Sequence, residues 1–224
     1  MKSVLIVSAI LFNSLVYSQY SWTPAVVSLK NGSVLTGEAK IPQVGASFNF
    51  GGTEKLKFRT EKKAKKKKFK IQEVDHILFT VTFKERVNGK RIEKTEIETY
   101  VPVLIKKRNT STLLSFMQEV VQGKVSLYGR TVTQNSGAWM PGAGGFNAIP
   151  VYIGDWSQHN QLWVCREGKE AELINHVILF KGFKKRASEY FGDCPRLVNK
   201  IEGKDLKKSD LKEIVEFFNS NCGG

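Results

Sequence analysis

Histidine is scarce in this chain: His76, His159 and His176 are the whole set. None has a second His or a Cys at metal-ligand spacing, so no zinc signature is present, and each reads as a surface or strand residue. No G-x-S-x-G elbow, P-loop or dinucleotide fingerprint occurs. The glycines from Gly142 to Gly145 lack the Lys-Ser/Thr ending and the strand-to-helix setting that phosphate binding needs. Asp155 and His159 in "GDWSQHN" have the parts of an acid/base pair but no nucleophile, so a turn capped by Asp155 and Ser157 is the better account. The residues therefore supply no catalytic constellation and no cofactor site, and the reading leans away from an enzyme. Past the amino terminus no stretch approaches the ~18 apolar residues of a membrane-spanning helix. Acid is short as well, with 21 Asp and Glu against 35 Lys and Arg, a formal net charge of +14.

Cysteine is limited to Cys165, Cys194 and Cys222, an odd number that leaves one over after any pairing. Cys194 and Cys222 flank a stretch with the pattern of a helical hairpin, so a disulfide is expected between them. Cys165, in "QLWVCRE", lies between apolar neighbours on a strand and reads as a buried free thiol without an activating neighbour.

What the chain does have begins at "MKSVLIVSAILFNSLVYSQ". Lys2 is a short positive segment, Val4 to Val16 an apolar one, and Val16 and Ser18 sit at −3 and −1 of a small-residue cleavage site. Residues 1–18 are expected to be a secretory signal peptide. No Cys follows to carry a lipid. An exported basic protein meets phospholipid headgroups, lipopolysaccharide or acidic envelope proteins, and nucleic acid is set aside. The expected location is periplasmic, outer-membrane-associated or extracellular.

The densest charge is "RTEKKAKKKKFK", Arg59 to Lys70, with eight basic residues and one acid, Glu61. Its candidate surface-binding residues are Lys62, Lys63, Lys65, Lys66, Lys67, Lys68 and Lys70. Phe69 is the only aromatic, whereas single-strand nucleic-acid grooves interleave aromatics for stacking. Lysine is a point charge, while bidentate phosphate contact favours Arg. Two readings stand: diffuse, salt-sensitive attraction to an anionic surface, or a solvated hairpin tip that discourages edge-to-edge pairing. The solvated tip is the simpler of the two.

The surrounding pattern is mostly β. "AVVSLKNGSVLTGEA" places Asn31-Gly32 between two β-rich runs, as a type I′ hairpin turn asks. "KLKFR" reads as a strand. Phe79, Val81 and Phe83 alternate with Thr80 and Thr82, and Asn88-Gly89 marks a second tight turn. Glu93, Glu96 and Glu98 beside Lys94 read as a solvated strand face. Pro102 in "TYVPVLI" argues for an edge or bulge. "NTSTLLSFMQEVVQG" puts Leu113, Leu114, Met117, Val120 and Val121 on one helical face, which predicts a central amphipathic helix. "KVSLYGRTVT" follows as a strand, then a Gly-rich loop over 137–145. Trp139, Met140 and Phe146 form a candidate partner-contacting loop, with folding back onto the sheet as the simpler alternative. "IPVYIGD", "QLWVCRE" and "EAELINHVILF" read as strands. Asp193 with Pro195, and Asp210 with Glu213, are expected to start two terminal helices, the second carrying Leu211, Ile214, Val215 and Phe218.

"VSLKNGSVLTGEAKIP", the following "LKF" and "IQEVDHILF", the middle "MQEVVQGKVSLYGR" and the terminal "FGDCPRLVNKIEGKDLKKSDLKEIVEFFNSNC" together resemble a family of exported proteins of the Bacteroidota for which no activity is established. The likeness spans most of the chain after residue 18. It implies an envelope location and a β-rich domain with a helical tail, and carries no functional residues with it.

The expectation is an α+β protein. Residues 19–106 form a β-rich sheet or small barrel, 107–182 a central helix with further strands, and 183–224 a disulfide-tied helical pair. Three functions remain open: non-enzymatic binding to an acidic surface or partner, an accessory subunit of an outer-membrane assembly, and a hydrolase with an unrecognised site.

Overall fold

The computed structural model describes residues 21–42, 44–45, 54–87, 89–106, 112–135, 138–140, 151–153, 156–174 and 182–223. Residues 1–18, Phe146 and His176 lie outside this set, as do Asp155 and most of the Gly-rich loop. The chain divides into two compact units, residues 1–42 with 54–102, and residues 43–53 with 103–224. It is broadly α+β: mostly antiparallel strand, with three α-helices toward the carboxyl terminus among the described residues.

The first unit is a sheet of β1 (Thr23–Leu29), β2 (Val34–Lys40), β4 (Lys55–Arg59), β5 (Lys67–Lys70), β6 (Val74–Val87) and most of β7 (Lys90–Lys106), in the order β7-β6-β1-β2-β4-β5. It is a large open sheet, which decides against the small-barrel alternative. Period-two alternation builds it: Ile77, Phe79 and Val81 are buried on one face of β6 while Thr80 and Thr82 are exposed on the other. The β6–β7 hairpin closes on Val87↔Lys90 around Gly89, whose φ of 80° needs glycine. At Asn31-Gly32 the connection differs from the expected two-residue turn. Gly32 N–H donates to Leu29 O and Leu29 N–H to Ser33 O, and only Gly32 has a positive φ (85°). This is a three-residue loop, a type I turn with glycine in the left-handed position. One acid also departs from expectation: Glu98 is 5% exposed, not on a solvated face.

The second unit contains β8 (Thr112–Val121), β9 (Val125–Asn135), β12 (Trp156–Arg166) and β13 (Glu172–Leu173) in the order β13-β12-β9-β8, with β3 (Val44–Gly45) parallel to β9. β10 (Ala138–Met140) and β11 (Val151–Ile153) make a separate two-stranded ladder. β8 corrects the expected central helix. Ser115, Phe116 and Met117 are buried in succession, as happens in a strand covered on both faces and not on a one-sided helix. A bulge in the β8–β9 ladder between Glu119 and Val121 then lets both Val120 and Val121 pack on the same core. The five apolar positions fit a helical stripe, but long-range pairing with neighbouring strands, β9 at Gln118 to Val121 among them, decides.

Among the described residues three helices rather than two lie toward the carboxyl terminus: α1 (Phe183–Tyr190), α2 (Pro195–Glu202) and α3 (Leu211–Asn221). Leu197, Ile201, Leu211, Ile214, Val215 and Phe218 pack against Val125, Leu127 and Val164. Asp210 holds the expected position at the start of α3, but neither aspartate makes a side-chain capping bond. Cys194 is the residue at the start of α2, and Asp193 instead takes two hydrogen bonds from Arg166, at 2.8 and 2.9 Å. Asp210 accepts the Lys207 N–H one turn before α3. Asn219 joins α3 to β9, donating to Val125 O (2.8 Å) and accepting from Val125 N–H (2.9 Å). Cys194 and Cys222 form the expected disulfide, their Cα atoms 5.6 Å apart.

Candidate anionic-surface interface

The lysine run is split between a turn and an edge strand. Lys62, Lys63, Lys65 and Lys66 lie in the turn between β4 and β5, ordered by the Arg59 guanidinium donating to Lys62 O (2.9 Å) and Ala64 N–H to Glu61 O (3.0 Å). Lys67, Lys68 and Lys70 belong to β5, the last strand of its sheet. All seven are exposed.

Register turns part of the run into a surface. In the β4–β5 ladder Lys55 faces Lys70, Leu56 faces Phe69, Lys57 faces Lys68 and Phe58 faces Lys67. In the β2–β4 ladder Lys40 faces Lys57 and Ala39 faces Phe58. Directly opposed residues share a face, so burial of Ala39, Leu56 and Phe58 on one side fixes the lysines on the other. Lys40, Lys57 and Lys68 thus make one row across three strands, and Lys55 and Lys70 a second row beside it. With strands ~4.8 Å apart, the first row is about 10 Å wide at its base.

Little acid tempers this face. Glu38 is held by Arg59 Nε at 2.6 Å, and Glu73 accepts the backbone N–H of Lys70. Among the described residues, none of Lys55, Lys57, Lys68 and Lys70 has a carboxylate within ion-pair distance. Trp22 borders the face, its ring 4.3 Å from Arg59 Cζ and 5.6 Å from Lys40 Nζ. Opposed like charges on a sheet repel, so the arrangement is a standing cost that a bound anion would relieve.

Sequence reasoning named Lys68 and Lys70 but not Lys40, Lys55 or Lys57. The alternation Lys55-Leu56-Lys57-Phe58 was the available signal, since it puts the charges of β4 opposite its core residues.

The other candidates do not gather into a site. Trp139 and Met140 lie on β10, paired with Tyr152 and Val151, and not in a loop. Ser157 and His159 lie on β12, not in a capped turn. His76 sits between Ser28 Oγ (3.1 Å) and Asp75 Oδ2 (2.9 Å). Cys165 is half-buried, not fully, with its Sγ 3.1 Å from Lys169 O. Burial, and then Glu170, push its thiol pKa up, the opposite of what a nucleophile needs. Among the described residues no group of three or more His, Cys, Asp or Glu is placed to hold a metal, and no helix is long and apolar enough to cross a membrane. Comparison with protein families, curated proteins and solved structures finds no match to this chain.

Proposed function

We propose that this is an exported, envelope-associated protein that attaches to a phosphate-bearing anionic surface, phospholipid or lipopolysaccharide, through the outward face of β2, β4 and β5. The attachment is non-enzymatic and uses no cofactor. The observation that carries the reading is the pair of lysine rows, Lys40–Lys57–Lys68 and Lys55–Lys70, opposed across two ladders without carboxylate partners among the described residues. Unlike the exposed tip lysines alone, opposed rows have no solubility rationale: edge protection needs charge on β5 but not matching charge on β4 and β2. A lysine close to an anionic leaflet contributes roughly 1 kcal/mol, so five on one face suffice for reversible, salt-sensitive attachment. The hydrophobic amino-terminal segment with its small-residue cleavage site supports an exported location.

Cosedimentation with phosphatidylcholine vesicles, with and without phosphatidylglycerol or lipid A, tests the proposal. Binding is expected only to the anionic vesicles, strong at about 50 mM salt and lost by about 500 mM, where the Debye length is a few ångströms. Lys57→Glu with Lys68→Glu should abolish it. Binding to neutral vesicles, or binding unchanged in the double variant, overturns the reading.

A further inference from the structure

A large aromatic ring ends the first lysine row. Thr23 faces Ala39 across the β1–β2 ladder, and both are buried. Their neighbours Trp22 and Lys40 fall on the opposite side by alternation, the side that also carries Lys57 and Lys68. The Lys40 Nζ lies 5.6 Å from the centre of the Trp22 ring, as that placement requires. The row therefore reads Trp22–Lys40–Lys57–Lys68, about 14 Å from end to end at its base.

Trp22 is half-buried and does not belong to the core. Its ring centre sits 4.3 Å from the Arg59 guanidinium carbon. That guanidinium is itself fixed, donating to Glu38 Oε2 (2.6 Å) and to Lys62 O (2.9 Å). Arg59 is on the outward side, yet its side chain is only 11% exposed, with the indole lying against it. The ring thus rests on an immobilised cation and keeps part of its surface in solvent, with Pro24 exposed beside it on the same face. A soluble polyanion would need only the cations of this row. A bilayer offers two zones, phosphates for lysines and a headgroup–acyl boundary that favours the amphipathic indole.

We infer that the partner of this face is a lipid bilayer and that Trp22 is its interfacial anchor. The lysines meet the headgroup phosphates, and the solvent side of the indole enters the boundary zone. Arg59 holds the ring outward, so little freedom is lost on attachment. The inference rests on the attachment proposed above and names what that face lies on.

Phosphatidylcholine vesicles containing phosphatidylglycerol, with inositol hexakisphosphate as a soluble polyanion, test it. In cosedimentation at low salt, Trp22→Ala should weaken vesicle binding by about tenfold, the scale of burying one exposed aromatic surface, and leave inositol hexakisphosphate binding within about twofold of wild type. Phospholipid brominated near the headgroup end of its acyl chains should quench wild-type tryptophan fluorescence. That quenching should disappear in Trp22→Phe, which keeps an aromatic ring on Arg59 and carries the test if Trp22→Ala folds poorly. Failure of the wild type to bind anionic vesicles sinks the attachment and the anchor together. Vesicle binding unchanged in Trp22→Ala, or quenching undiminished in Trp22→Phe, overturns the anchor and leaves the attachment standing. Equal losses for vesicles and inositol hexakisphosphate also overturn it, since Trp22 would then only position the cations.

Discussion

Lys57 stands directly across the β4–β5 ladder from Lys68, and directly across the β2–β4 ladder from Lys40. Three ammonium groups therefore share one row, and Lys57 has a like charge on both sides. Lys57→Glu should leave the fold intact and stabilise it by a few tenths of a kcal/mol at low salt, since it converts two repulsive pairs to attractive ones. The gain should fade as salt is added. Thermal melting of wild type and variant at two ionic strengths measures this; a destabilised variant would mean the lysine has a structural role.

Glu98 lies beside Phe79 and Tyr100 on the inward face of the first unit, with Oε1 unpartnered and Oε2 3.4 Å from the Tyr100 hydroxyl. Burial, opposed by the Tyr100 hydrogen bond and reinforced by Glu96, raises its pKa to about 7. The folded state thus holds this proton more tightly than the unfolded chain does. Its contribution is complete below the unfolded value near 4.5 and is lost as pH rises through 7. Over that interval the loss is on the order of 3 kcal/mol. Urea denaturation across pH 4.5 to 8 should show stability declining for wild type, with that decline removed in Glu98→Gln.

Asn219 spans from α3 to both backbone groups of Val125, a residue with no solvent exposure. Asn219→Ala strips a donor and an acceptor at once and should cost about 2–4 kcal/mol. Asn219→Asp keeps the acceptor but opposes a carboxylate to Val125 O, and should fold no better. Chemical denaturation midpoints would show whether both variants fall well below wild type.

Reducing the Cys194–Cys222 bridge, 28 residues apart in sequence, should lower stability by roughly 3 kcal/mol in the chain-entropy model. Cys165→Ser should not change the midpoint under oxidising conditions, because that thiol is the one left over. If Cys165→Ser and Cys194→Ser lose equal stability, the pairing is different in solution.

Local signals were legible where a local interaction decides. The hydrophobic stripe of α3, the Pro195 start of α2 and the alternation of β6 all emerge as read. Partners remote in sequence decided the rest. Leu113 to Val121 satisfied a helical period, and pairing with strands remote in sequence, β9 at Gln118 to Val121 among them, makes them a strand. Asp210 does start α3, but its carboxylate bonds the Lys207 amide, and Asp193 is taken by Arg166 while Cys194 starts α2. Glu98 looked solvated among its charged neighbours; only the strand register turns it inward opposite Phe79. The cationic face needs Lys40, Lys57 and Lys68 together, and charge density alone drew attention to the tip.

The Asn219–Val125 link has a consequence for the order of events. Its two ends are 94 residues apart, and the same helix supplies Phe218, Val215 and Ile214 to the core over β9. A ribosome has made all of β8, β9 and β12 before any of α3 exists, so the apolar side of these strands waits for its cover. Closure comes from a late, distant segment, which is slow because the intervening loop must first be closed.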